Sequence, residues 1–125
     1  MEKSSQHFCQ IVRGKIYFQR TKKIISLHEI IMLQGDINYS LIHLQGRCKV
    51  LIPRTLKIFE ELLENHNFLR THRGFLINCD HLLRIDKLQE EAFLTNDLKA
   101  SIARRRRGEV SRRLRLVVCS FLNFE

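Results

Sequence analysis

Phe68-Leu69-Arg70-Thr71-His72-Arg73-Gly74-Phe75-Leu76-Ile77-Asn78 is the stretch on which the reading of this chain turns. Apolar residues flank a compact polar knot, Arg70 to Gly74, that carries two arginines and a histidine. A core strand gains nothing from such a knot, because desolvating an unpaired guanidinium is costly. Those groups must emerge at a loop or find partners. The plainer alternative is an ion pair of Arg70 or Arg73 with a glutamate of the helix just before them.

Outward from this stretch the chain reads as short strands. Upstream, Thr55 to Asn65 forms the clearest helix, with Thr55 as cap and Leu56, Phe59, Leu62 and Leu63 on one face. Glu60, Glu61 and Glu64 take its wet side. Before the helix, Phe8–Val12 and Lys15–Gln19 read as a hairpin split by Arg13-Gly14. Ile24–Leu27 and Ile30–Leu33 read as buried strands around His28-Glu29. Gly35-Asp36 is a break, Tyr39–Leu44 a strand, Gln45-Gly46 a turn, and Lys49–Ile52 the returning strand. Phe68–Asn78 itself reads as one strand, and downstream Leu82–Lys87, Glu91–Thr95 and Leu98–Ile102 are three more, with Asn96-Asp97 as a tight-turn signal. After Ile102 the composition shifts to Arg104-Arg105-Arg106-Arg107. Beyond it Val110, Leu114, Val117 and Val118 would share one face of a second helix, which Gly108 weakens at its start. The apolar end, Leu116 to Phe124, is compatible with a continued helix, an edge strand or a docking segment.

The charge balance sets the expected partner. Twenty-two Lys and Arg face thirteen Asp and Glu, a formal net charge of +9 over 125 residues. So basic a small domain calls for an anionic partner, nucleic acid or an acidic membrane surface. No stretch has the eighteen or so apolar residues of a membrane span. The polar start lacks a signal-peptide core, so a cytoplasmic location without membrane partner is expected. The four cysteines, Cys9, Cys48, Cys79 and Cys119, are scattered, without Cys-x-x-Cys pairs, and read as buried free thiols. The histidines are equally dispersed, so no metal or other cofactor is expected. There is no Gly-rich phosphate loop and no Gly-x-Ser-x-Gly; Asp36 and Asp80-His81 read as turn formers, and no enzyme is expected.

The central stretch resembles the hallmark of LytTR domains, usually phenylalanine-isoleucine-arginine-isoleucine-histidine-arginine-serine-tyrosine-isoleucine-valine-asparagine. Gly74 stands for the usual serine and Phe75 for the common tyrosine. Ile31 to Tyr39 resembles the family's isoleucine-x-tyrosine-isoleucine-glutamate-alanine-aspartate-glycine-asparagine-tyrosine, with Gln34 in the glutamate place. Arg54-Thr55-Leu56 resembles its arginine-x-serine-leucine, and Ile102 to Arg106 its valine-serine-arginine-arginine, with Ala103 for serine. The resemblance implies a mainly β fold, with one or two helices on an elongated set of small antiparallel sheets. It divides the chain into an N-terminal segment, 1–15, a DNA-binding domain, 16–114, and a C-terminal tail, 115–125.

It also implies a bacterial transcription regulator that binds duplex DNA at repeated promoter sites, as a homodimer on DNA, without the receiver domain that often precedes such a module. The positions that match the family's contacts are Asn38, Tyr39, His72, Arg73, Arg104 and Arg105. All lie at polar or cationic interruptions beside apolar strands, with donors suited to phosphates and guanine edges. Gly74 and Ala103 each lack a hydroxyl donor. Three plainer readings stay open: a basic RNA- or ribosome-binding protein, an interaction domain with a vestigial DNA surface, and an arginine run acting only as a counterion patch.

Overall fold

In the computed structural model of the chain, residues 8–122 are described, with side chains through residue 114. Among the described residues, eleven short strands build three antiparallel sheets. The first sheet holds β1 (Cys9–Val12), β2 (Lys15–Phe18) and β3 (Ile24–Ser26) in sequence order. β1 thus pairs in register with β2, Cys9 opposite Phe18, ahead of residue 16. The second sheet has five strands, built from β4 (Ile30–Gly35), β5 (Ser40–Leu44), β6 (Cys48–Ile52), β7 (Phe68–His72) and β8 (Phe75–Asn78). Their spatial order is β6-β5-β4-β8-β7. The third holds β9 (Leu82–Ile85), β10 (Glu91–Leu94) and β11 (Leu98–Ser101), with β10 in the middle.

The five-stranded sheet is apolar on both faces, which explains the unbroken Ile30-Ile31-Met32-Leu33 run at its centre. One face packs Ile30, Leu33, Leu76 and Phe68 against Ile16, Phe18 and Ile25 of the first sheet, Phe59 of the first helix and Leu63 just beyond its end. The other packs Ile31, Met32, Leu69 and Ile77 against Ala92, Leu94 and Ala100 of the third sheet and Val110 and Leu114 of the second helix. A bulge between Ile30 and Met32 breaks the strict alternation, so consecutive Ile31 and Met32 serve one core and Ile30 and Leu33 the other.

The helix expected over Thr55 to Asn65 is α1, Leu56–Leu62. Thr55 takes the extended backbone of a cap residue, but its hydroxyl makes no capping bond. The helix ends at Leu63, whose backbone leaves helical geometry (φ −102°, ψ 9°), and Asn67, at a left-handed φ of 64°, then turns the chain into β7. Asn96 and Asp97 both have positive φ, 63° and 62°, and Leu98 N–H closes the turn on the Thr95 carbonyl. That is the type I′ geometry the dipeptide signalled. The second helix, α2, runs from Arg107 to Leu122, which decides among the readings left open for that segment. Val117 and Val118, placed on its face by the sequence pattern, lie outside the described side chains.

One expectation needs correcting. Cys9 and Cys79 are buried free thiols, but Cys48 is exposed, because it opens the edge strand β6 next to the Gln45–Arg47 turn. Cys119 lies outside the described side chains. Among the described residues, no helix is long and apolar enough to cross a membrane, and no three His, Cys, Asp or Glu side chains form a metal-binding group.

Candidate nucleic-acid interface

The decisive stretch folds as a hairpin rather than one strand. β7 ends at His72, β8 begins at Phe75, and Arg73-Gly74 is the tip. Arg73 is exposed there. His72 is half-buried, its ring edge-on to Phe75 at 5.7 Å. Gly74 N–H donates to His72 Nδ1 at 2.9 Å. A ring that accepts at Nδ1 carries its proton on Nε2, so His72 offers a single outward donor.

Arg70 does not join this display. Its side chain is only 12% exposed and pairs with Glu60 of α1 at 2.6 Å. The plainer reading, an ion pair with the preceding helix, therefore holds for Arg70. The pair is only one of its three bonds: Nε donates to the His72 carbonyl at 2.8 Å, and Nη2 donates to the Arg73 carbonyl. One planar guanidinium thus braces both tip carbonyls against α1, which a lysine could not copy.

The second candidate loop joins β4 to β5. Asp36 organises it: Oδ1 accepts Ile37 N–H at 2.8 Å, Oδ2 accepts the Tyr39 hydroxyl at 3.1 Å, and Asp36 N–H donates to the Tyr39 carbonyl at 2.9 Å. The carboxylate beside it raises the Tyr39 phenol above its ordinary value, through their hydrogen bond first and charge second. Asn38 and Tyr39 are both exposed.

The third loop follows β11. Arg104–Arg106 form one 3₁₀ turn, with Arg104 and Arg105 exposed and Arg106 half-buried. The segment is anchored before and after by buried Ile102 and Val110.

Backbone bonds connect the three loops in a row. Gly35 N–H donates to the Gly74 carbonyl at 2.9 Å, tying the Asp36–Tyr39 turn to the hairpin tip. On the other side of the hairpin, Ala103 N–H donates to the Thr71 carbonyl at 2.8 Å, and the fully buried Thr71 hydroxyl donates to the Ser101 carbonyl at 2.9 Å. Asn38, Tyr39, His72, Arg73, Arg104 and Arg105 are thereby carried by neighbouring loops at one end of the five-stranded sheet.

Sequence reasoning reached this framework only in part. Asp36, read as a turn former, clips its whole turn. Thr71 had no signal at all, because its partner lies thirty residues on. Arg70 was visible only as an ion-pair candidate. A separate open cleft of about 440 Å³ lies at the far end of β8, between Arg13, Lys15, His28 and His66 over Phe68 and Asn78. The Asn78 side chain is already engaged, by the Ile30 carbonyl and by Asp80 N–H.

The family model described as LytTr DNA-binding domain matches residues 20–115. Among solved structures, the chain is similar to the LytTr DNA-binding domain of a Bacillus cereus protein described as a methyl-accepting/DNA response regulator. The two share 16% identity at a TM-score of 0.67, over 82% of this chain and 98% of that one. At this identity the likeness speaks for the fold. No curated protein matches the chain.

Proposed function

The chain belongs to the LytTr DNA-binding domain family, and on that premise we propose that it reads specific duplex DNA by laying its three connected loops in the major groove. Domains of this family are DNA-binding parts of transcription regulators rather than enzymes. The finer reading rests on one observation above all. The Asp36–Tyr39 turn, the Arg73-Gly74 tip and the Arg104–Arg106 turn are joined through Gly35–Gly74 and Thr71–Ala103 bonds. Such a row presents an amide, an imidazole donor and three guanidinium groups from stiff backbone.

The roles divide by chemistry. Arg73, Arg104 and Arg105 can pair bidentately with guanine edges, and Asn38 with adenine. The His72 Nε2–H suits a phosphate oxygen, while the single hydroxyl proton of Tyr39 is already donated to Asp36, so Tyr39 serves the interface by holding its turn. Arg106, Arg107 and the arginines of α2 supply charge that attracts any duplex. In this reading the targets are promoter sites, repeated in the manner that a pair of copies on DNA would occupy.

Selection of bound sequences from random duplex DNA tests the proposal. The expected result is a shared motif, bound more tightly than random duplex and than structured RNA. If about six phosphates are neutralised, the log affinity falls with log salt at a slope near −5. Within that background, Arg104→Ala/Arg105→Ala should cost about 2 kcal/mol or more on the selected site and narrow its advantage over random DNA. Arg112→Ala, on the exposed side of α2, should weaken both duplexes alike. Losses that scale only with the number of cations removed, and are the same on both duplexes, would reduce the arginine run to a counterion patch. Tighter binding to structured RNA would sink the duplex reading altogether.

A further inference from the structure

Ile37 sits at the tip of the Asp36–Tyr39 turn with 81% of its surface exposed, more than any other large apolar side chain among the described residues. A lone exposed apolar residue is ordinary on a protein surface. Its setting here is not. The turn is closed by Asp36 N–H on the Tyr39 carbonyl, and the Asp36 carboxylate holds both Ile37 N–H and the Tyr39 hydroxyl. With its backbone fixed in this way, Ile37 cannot fold back to cover apolar surface. Turn tips ordinarily carry Gly, Asn, Asp or Ser, and a β-branched residue gains nothing there in the free protein. Its stiffness helps only on contact, since a β-branched side chain has few rotamers to lose.

We propose that Ile37 reads a thymine through its C5-methyl group, beside the base that Asn38 contacts. The proposal rests on the groove-docking reading above and goes further, because it assigns sequence information to an apolar side chain. In the major groove the thymine methyl is the one apolar mark, and apolar side chains recognise it. Ile37 and Asn38 are adjacent on the same rigid turn, so docking the Asn38 amide against an adenine edge carries the Ile37 side chain to a neighbouring step. The contact removes apolar surface from water on both sides without displacing any bond that holds the turn.

The test uses the full chain and its best duplex selected from random DNA, remade with deoxyuridine at one thymidine after another. Deoxyuridine keeps every hydrogen-bonding edge and removes only the methyl. At one position the wild-type chain should lose about fourfold in affinity, the value of one buried methyl at about 0.8 kcal/mol. In Ile37→Ala that penalty should vanish while the penalties at all other thymines persist. Because the side chain is exposed, the variant keeps its fold, which a thermal melt verifies. Two outcomes count against the proposal and are told apart by Asn38→Ala and Arg73→Ala. If those variants lose the preference for the selected site but no deoxyuridine penalty depends on Ile37, the thymine assignment is wrong and the interface stands. If neither variant changes the preference, the interface reading fails and takes the assignment with it.

Discussion

Replacing Arg70 with methionine separates a bracing role from a reading role. Methionine keeps most of the apolar stem and removes three bonds, to the His72 carbonyl, the Arg73 carbonyl and the Glu60 carboxylate. Hydrogen bonds to charged groups contribute about 1.5–3 kcal/mol each when water cannot replace them. Water can replace part of each here, because Arg73 is exposed and the Glu60 side chain is 38% exposed. The net loss then comes to about 2 kcal/mol, or about 6–10 °C in Tm for a domain of this length. The effect on binding follows from population. If the braced tip falls to about a tenth of the ensemble, affinity for the selected site falls about tenfold. Random duplex, held by charge, should lose no more than about twofold for one cation. Arg73→Ala is the control: its side chain makes no bond among the described residues, so Tm should stay and only binding should fall. Thermal melts and fluorescence anisotropy on selected and scrambled duplexes, at matched salt, give all four numbers. Should Arg70→Met leave Tm unchanged, or weaken both duplexes equally, the brace is not what holds the tip.

Four further outcomes are expected. Gly35→Ala should destabilise the domain by about 1–3 kcal/mol, because its Cβ would stand 2.9 Å from Leu56 Cβ at the start of α1. Gly74→Ser should instead melt within about 0.5 kcal/mol of wild type, since the nearest atom to a Cβ there is 3.5 Å away. A melt of the two variants in which Gly74→Ser is the weaker would contradict the packing described. Native thiol labelling followed by peptide mapping should find Cys48 modified quickly, and Cys9, whose thiol burial pushes up to about 11, protected until unfolding. Equal rates at both would argue against a buried Cys9.

Burial, and then the charge of Lys49 opposite it, lowers the His43 imidazole below its ordinary 6.5. The unfolded chain therefore takes up that proton first as the pH falls. The His43 contribution to stability is complete above about pH 6.5 and is lost as the pH drops toward the folded-state value. His43→Gln should flatten the stability slope between pH 7 and pH 5 relative to wild type; parallel slopes would refute it.

Most strands were legible because their apolar runs are bounded by turn residues with a mechanism, such as Arg13-Gly14, Gln45-Gly46 and Asn96-Asp97. The second helix beyond the arginine run could be anticipated from Val110 and Leu114, but its length could not. Long-range pairing was the main loss. Nothing local says that β4 pairs with β8, or that Thr71 anchors residues thirty positions on. The polar knot shows the same limit at the scale of the site. Its two arginines look alike in sequence, and only the approach of α1 turns Arg70 inward and leaves Arg73 outside. The exposure of Cys48 was missed for a related reason, since an edge position depends on which strands end up as neighbours.

The Arg104–Arg106 turn is held between Ile102 and Val110, eight positions apart and both rooted in the same core. A segment so short and doubly anchored has no slack. Its ordering entropy is spent when the domain folds, not when DNA arrives, and association is spared that cost. The same tautness transfers the burden of adjustment to the other molecule. On the proposed groove reading, where loop and groove do not match, the duplex would have to bend or twist to meet the arginines, and the stiffness of the DNA itself would become part of what the domain discriminates.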